Sequence, residues 1–350
     1  MVRFTVLASG SRGNATVVTG GRTRILIDCG LSCRELFRRM RLVEENPESL
    51  DAILITHEHA DHVNGVAVTA RKLGIPVFFT EATHRAWVRW LSPRKQMTYA
   101  QWMEQMRQQA AARKTLQEAE ALRAADVQPG EGEESAEDQD LQTEQELLPV
   151  EKLDEPAAAG SSADATPAEA AESLPADPKK DPTWLPAVEY FQPGEQFSIG
   201  DITVNPFTTP HDAADPCGFV FRTEGLRLGY ATDLGYLPPN VKAQLKALDL
   251  LLLESNHDLE MLRDGPYPWA VKQRVLSRVG HLSNEATASF LENDYDGGAA
   301  YVILAHLSES NNLPDLARMA AEKALAGHPG LLGNRLLLAR QDEPLSSVYF

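Results

Sequence analysis

Cysteine is scarce in this chain. Among 350 residues there are three, Cys29, Cys33 and Cys217, an odd number with no C-x-x-C pair. That excludes a disulfide framework and a zinc knuckle built from cysteines. Long apolar runs are lacking as well: nowhere do about eighteen apolar residues follow one another, so no membrane span is expected. The opening MVRFTVLASG has too short an apolar run for a signal peptide and lacks its usual flanks, which points to a soluble cytoplasmic protein. Long basic tracts are missing too, and the formal charge is −17. The acidity is local, however. Residues 115 to 181 hold 19 carboxylates against 4 cations, a net of −15, which leaves −2 for the rest of the chain. Net charge therefore says little about which partners the remaining residues accept.

Over residues 128–182 the composition is dominated by Glu, Asp, Ala, Pro, Ser and Gly, with few branched aliphatics and without one aromatic side chain. Such a segment cannot bury enough apolar surface to offset chain entropy, so it is expected to be disordered. The Gln/Ala/Glu/Arg-rich stretch before it, 99–127, reads as a helical extension. On either side, short apolar runs alternate with helical periodicity. Strands are expected at 4–7, 15–19, 25–27, 52–55, 75–79, 196–199, 202–207, 218–223, 226–230, 250–253, 301–304, 335–339 and 347–350, with Gly20 and Gly21 forming a hairpin turn. The runs at 250–253 and 301–304 are wholly apolar, as in strands covered on both faces. Helices are expected at 32–41, opened by a capping box of Ser32 and Glu35, and at 62–73, 269–279 and 284–292. A last helix runs to residue 326 and is opened by Asn312, Pro314 and Asp315. The expected organisation is one α/β domain in two halves, 1–98 and 183–350, split by the extension and the acidic insertion.

Chemistry concentrates in Thr56-His57-Glu58-His59-Ala60-Asp61-His62, directly after the apolar strand at 52–55. Three imidazoles and a carboxylate so close together are costly to bury without a cation, and they are ligands that zinc or manganese accepts. On an extended loop, alternation puts His57 and His59 on one side, while Asp61 and His62 turn toward a second position at the helix start. One short stretch can thus serve two adjacent metals.

This H-x-H-x-D-H stretch resembles that of the metallo-β-lactamase superfamily, and other landmarks of that family follow. Asp28 ends a strand in LIDCG, His211 lies in TTPHDAADPCGF, Asp233 in GYATDLG and His306 in ILAHLSESNN. The resemblance implies a four-layer αββα sandwich and a dinuclear hydrolase. His57, His59 and His211 would hold the first metal and Asp61, His62 and His306 the second, with Asp233 bridging. Asp28 would orient a ligand imidazole without touching metal, and Asp61 would also orient the water. The metals could be zinc, manganese or iron.

Further stretches, Ala8-Ser9-Gly10-Ser11-Arg12-Gly13-Asn14, Glu254-Ser255-Asn256-His257-Asp258, Gly280-His281-Leu282-Ser283-Asn284, and His306-Leu307-Ser308 with Asn311-Asn312, are similar to the YycJ/WalJ-like branch. That branch is related to the RNase Z and phosphodiesterase groups, and the likeness spans 1–85 and 184–350. It implies a DNA exonuclease in which a metal-bridging hydroxide attacks phosphorus. Candidate substrate contacts are Ser11, Gly13, Asn14, Asn256, Ser308 and Asn311. The glycine loop either approaches an anion through its backbone N–H groups or is an ordinary turn. His257, as proton donor, and His281, ahead of a capped helix, are either catalytic or hydrogen-bonded structural rings. Arg263, Lys272, Arg274 and Arg278 either contact a phosphate backbone or form a solvated helix face. His84 and His328 are expected to be incidental. Two other functions stay open: hydrolysis of a small thioester, lactone or cyclic phosphodiester, and a regulatory role in which the acidic insertion docks a protein partner.

Overall fold

Two seven-stranded sheets face one another, and each repeats the same plan. In the first, β1 (Arg3–Ala8), β2 (Ala15–Gly20) and β3 (Thr23–Ile27) form an antiparallel meander. To it β4 (Ala52–Leu54), β5 (Val77–Phe79) and β6 (Val188–Tyr190) add in parallel. In the second, β7 (Phe197–Ile199), β8 (Ile202–Thr208), β9 (Cys217–Thr223) and β10 (Leu226–Ala231) are antiparallel. The parallel strands β11 (Leu250–Glu254), β12 (Tyr301–Ala305) and β13 (Arg335–Leu338) complete it. The last strand, β14 (Val348–Tyr349), returns to the first sheet beside β1. The structure, a computed structural model, describes residues 1–92, 103, 107, 181–327 and 334–350. Of the extension expected over 99–127 only Met103 and Arg107 are described, both helical. The rest of it, the acidic insertion as far as residue 180, and His328 lie outside the described residues.

Side-chain alternation explains the layers. Phe4, Val6, Ile25, Ile27, Phe219, Phe221, Leu250, Leu252 and Ile303 point between the sheets and form the central core. Their neighbours point outward under helices. Leu7, Leu26 and Ile53 pack with Leu36 and Met40 of α1 (Cys33–Leu42), Val66 and Ala70 of α3 (Val66–Leu73), and Trp87 of α4 (Glu81–Leu91). On the other sheet Val220, Leu251, Leu253, Val302 and Leu304 pack with Val241 of α5 (Pro239–Gln244), Phe290 of α8 (Asn284–Asn293) and Ala321 of α9 (Pro314–Leu325). The result is the expected αββα sandwich. Among the described residues no helix is long and apolar enough to cross a membrane.

Several local expectations shift. The hairpin turn falls on Gly21 and Arg22, with Gly20 still in β2. Only half of the capping box forms: Ser32 accepts from the Glu35 N–H, while the Glu35 carboxylate takes Arg38 and Arg39. The helix expected at 62–73 is two, α2 (Ala60–Val63) and α3. The chain breaks at Gly65, whose N–H donates to Cys29 O and where a Cβ would sit 2.0 Å from Leu31 O. Helices α4, α5 and α6 (Leu259–Asp264) were not expected, and α7 (Trp269–Val275) ends one turn early. The residue that opens α9 is Leu313; Asn312 is buried, its side chain turned to Asn284 and to the carbonyls of Ser255 and Asn256.

Candidate metal centre

The strand ends of both sheets converge on one buried cluster. Asp28 follows β3, His57 follows β4, Asp233 follows β10 and His306 follows β12. Asp28, Asp233 and His306 share a left-handed backbone, with φ of 57°, 59° and 57°. For residues other than glycine this costs about 1–3 kcal/mol each and is retained where the surroundings enforce it. The enforcing contacts are visible: Asp28 N–H donates to Leu54 O, and His306 N–H donates to Ser9 Oγ.

Each imidazole is steered by its second nitrogen. His62 Nδ1 donates to Asp28 Oδ2 at 2.8 Å, and His211 Nδ1 donates to Gly280 O at 3.0 Å. His306 Nδ1 donates to Glu254 Oε1 at 2.8 Å. Thr56 Oγ1 gives its proton to Asp28 and so accepts from His57 Nδ1, 3.0 Å away. In all four rings Nδ1 is engaged by its orienting partner, so that Nε2 is the nitrogen a neutral ring would offer to a metal. Asp28 thus meets His62, one of the candidate ligand imidazoles.

The donor atoms of His57, His59 and His211 lie within 4.8 Å of one another, and so do those of Asp61, His62 and His306. Asp233 stands between the two groups: Oδ2 is 3.4 Å from His62 Nε2, and Oδ1 is 3.9 Å from His211 Nε2 and 3.3 Å from His306 Nδ1. His57 Nε2, Asp233 Oδ2 and His306 Nε2 are buried without a hydrogen bond, a rarity unless another partner belongs there. Burial pushes the His57 ring well down in pKa, and the neighbouring imidazoles push it the same way. Burial also opposes charge on His62 and His306, but there the surrounding carboxylates prevail and the direction is up. Burial works against ionising Asp61 and Asp233, yet His306 and His62 hold both below the usual carboxylate range. A buried set of carboxylates and lone-pair nitrogens needs positive charge among them, and divalent cations fit it.

Glu254, quoted above only as the first residue of its stretch and given no role there, meets the candidate site directly. It is fully buried at the end of the all-leucine run of β11. Oε1 accepts from both His306 Nδ1 and His281 Nδ1, at 2.8 and 2.9 Å, and Oε2 accepts from the N–H groups of Leu234 and Leu282. Although its oxygens also lie within ligand spacing of Asp233, His281 and His306, these four bonds occupy both of them, which makes it an orienting group. A lone carboxylate closing a leucine strand was the available signal.

Beside the cluster opens a cleft of about 420 Å³. Ser11, Asn256, Ser308, Asn311, Asp61 and His281 of the predicted residues line it, along with Tyr267 and Arg274. Gly13 and Asn14 do not. Asn14 is buried, its N–H and side-chain amide donating to Asp61 O and Oδ2 and its Oδ1 accepting from the Gly10 N–H. It clamps the turn that carries Asp61. Gly13 packs against Gly30 and Leu31, with φ of 154°. His257 is also off the cleft, and burial lowers its pKa to about 4. A ring neutral at pH 7 and away from the cleft is poorly suited to the proton donation expected of it. His84 stacks on Phe79 and bonds to Tyr190 OH, outside the site. Of the cationic run, Arg274 is paired with Asp212, Arg263 with Asp264, Lys272 donates to Arg263 O and Arg278 lies over the Tyr236 ring.

Fold and centre together define a hydrolase that works through metal ions. Residues 8–306 match the Metallo-beta-lactamase superfamily, and the chain belongs to it. Its relatives include exodeoxyribonuclease YycJ of Bacillus anthracis, 28% identical over 93% of this chain and 89% of that one. Exodeoxyribonuclease WalJ of Streptococcus pneumoniae serotype 2 is likewise 28% identical, over 93% of this chain and 88% of its own. Among solved structures, the metallo-beta-lactamase fold protein YhfI of Bacillus subtilis superposes with a TM-score of 0.53 at 13% identity, covering 98% of this chain and 99% of that one.

Proposed function

We propose that the protein is a dinuclear phosphodiesterase that removes nucleotides from the end of a DNA strand. The observation that carries this reading is the pair of three-residue donor groups, His57/His59/His211 and Asp61/His62/His306, with Asp233 beside both and His59, Asp61, Asp233 and His306 lining an open polar cleft. His57, His59 and His211 would hold one divalent ion, Asp61, His62 and His306 the other, and Asp233 would contact both. Zinc, manganese and iron all suit these ligands. Two such ions, when bound, lower the pKa of a water and polarise a phosphoryl oxygen.

The chain's own groups do the rest. Asn14 and the Cys29–Gly30 backbone fix the turn that carries Asp61, which lines the cleft and would position the attacking water. Asn256, Ser308, Asn311 and Ser11 offer amides and hydroxyls along the cleft for phosphate and sugar oxygens. His281 is held at Nδ1 by Glu254, leaving Nε2 to hold a proton for the departing oxygen. The likeness to two exodeoxyribonucleases along 93% of the chain supports DNA as substrate. A cleft of about 420 Å³ also suits a small ester or cyclic phosphodiester.

End-labelled single- and double-stranded DNA, incubated with wild type, Asp233→Ala and His281→Ala, tests the reading. Nucleotide release that is abolished by Asp233→Ala and reduced about 10²-fold or more by His281→Ala supports it. Intact DNA together with hydrolysis of thioesters or lactones would move the assignment to the small-substrate reading.

A further inference from the structure

The segment over the cleft, α7 and the turn behind it, is built unlike any other helix among the described residues. None of the side chains of Trp269–Val275 is buried. Trp269 is 67% exposed and Leu276 50%, and Val271 and Val279 are exposed beside them. Exposed apolar groups on a loose loop would carry little meaning, but this backbone is pinned. His281 N–H donates to Val275 O at 3.0 Å and Asp212 N–H to Val279 O at 3.1 Å, so the segment is tied to the residues next to His211 and to His281 itself. Gly280 allows the close approach: a Cβ there would lie 2.1 Å from Val275 O. Arg274 binds Asp212, and Arg278 stacks over Tyr236 at 4.4 Å. The wall is therefore held in register with the centre while its side chains face out.

Two further features say what covers it. The wall is continuous with the cleft, since Tyr267, Val271, Arg274 and Val275 line both. And from Tyr267 to Leu282 there is no carboxylate. Of its three cations Arg274 is paired with Asp212 and Arg278 lies over Tyr236, which leaves Lys272, whose ammonium donates to Arg263 O at the surface, as the wall's cation for a phosphate. An aromatic and apolar surface that carries an ammonium, leading away from a phosphodiester-cleaving centre, matches a strand of nucleic acid with its bases exposed. A paired duplex would offer it only phosphates and sugars, and would leave Trp269, Val271 and Leu276 facing water.

We propose that the surface from Tyr267 to Val279 seats the unpaired or frayed bases at the end of the strand being cut, with Trp269 as the stacking platform and Lys272 meeting the backbone phosphate. This rests on the nuclease reading, and deepens it by assigning the form of substrate. Base–aromatic stacking is strong enough that losing one platform weakens binding by about tenfold or more.

The test uses the metal-loaded full chain. KM and kcat are measured on an end-labelled single-stranded oligonucleotide, Kd on a cleavage-resistant phosphorothioate dT10, and hydrolysis on bis(p-nitrophenyl) phosphate as a probe for the cleft itself, which Trp269 does not line. Trp269→Ala is expected to raise KM and Kd about tenfold, with kcat and the small-probe rate within about twofold of wild type. Trp269→Phe, which keeps a ring, is expected to stay near wild type, and Lys272→Ala to lower the salt slope of binding by about 1. Wild type that cleaves DNA, with Trp269→Ala unchanged in KM and Kd, overturns the wall and leaves the nuclease reading standing. Wild type that hydrolyses the small probe and no DNA overturns both. If Trp269→Ala instead abolishes self-association of the chain at unchanged DNA affinity, the wall is an interface between copies and the proposal fails.

Discussion

Replacing Glu254 by Gln exposes the logic of the centre, because no orientation of the amide satisfies its surroundings. The carboxylate accepts four hydrogen bonds, two from imidazole Nδ1–H groups on Oε1 and two from backbone N–H groups on Oε2. An amide has one oxygen. If it faces Leu234 and Leu282, its NH2 confronts the Nδ1–H of His281 and His306; turned over, it confronts the backbone donors instead. The backbone cannot change, so the rings must move their proton to Nε2. For His306 that blocks the nitrogen assigned to metal. Each charge-assisted bond is worth about 1.5–3 kcal/mol, and loss of such an orienting partner lowers metal affinity about 10- to 100-fold. Competition with a chromophoric chelator reads that affinity directly. Loss of His281 orientation is expected to cut kcat by a further factor of about 10². Wild-type metal affinity and wild-type kcat in Glu254→Gln would refute the orienting role.

Other consequences are more local. Gly30→Ala would place a methyl 1.6 Å from Asp61 O and 2.8 Å from Asn14 N, both backbone atoms, so the ligand turn must shift. Metal content and Tm are both expected to fall, by about 1–3 kcal/mol of stability for the latter. Glu35 is held down to about 2 by Arg38, with Arg39 adding to it, against an ordinary value of 4.5. A depressed folded-state value means that its stabilisation is complete above pH 4.5 and disappears as pH falls from there toward 2. With the carboxylate 31% exposed, Glu35→Gln should cost about 1 kcal/mol at pH 7, and the gap in urea midpoint should narrow on acidification. Burial pushes the Cys29 thiol up to about 12 and raises that of Cys217 as well. Iodoacetamide at pH 8 should therefore label both only after unfolding, as mass spectrometry would show.

The sandwich was readable because its strands write their burial locally. Phe219 and Phe221 alternate with Val220 on opposite faces of β9, and the leucines of β11 fill both faces at once. The candidate ligands stood out for a related reason: polar groups directly after apolar strands have few structural excuses, and the structure brings all seven of them together. What was not legible depends on neighbours distant in sequence. The break between α2 and α3 follows from Gly65 meeting Leu31 O, a contact no local pattern encodes. Asn312 looks like a helix cap until Asn284 and the carbonyls after β11 compete for its side chain. Asn14 and Ser11 lie in one glycine loop, yet only the fold shows that Asn14 grips Asp61 beneath the centre while Ser11 sits on the cleft lip. His257 and His281 look equivalent in sequence, and burial separates them. Helix α7 carries no buried stripe, so periodicity could not tell that its outward face borders the cleft.

The central claim is tested most directly by counting metal ions per chain in the purified protein and in single-ligand variants. Two per chain in wild type are expected, falling to one in His211→Ala and in His306→Ala, and the ion each variant retains should differ in chelator affinity. A chain that binds no divalent ion after reconstitution, or binds two regardless of His211 and His306, would contradict the account.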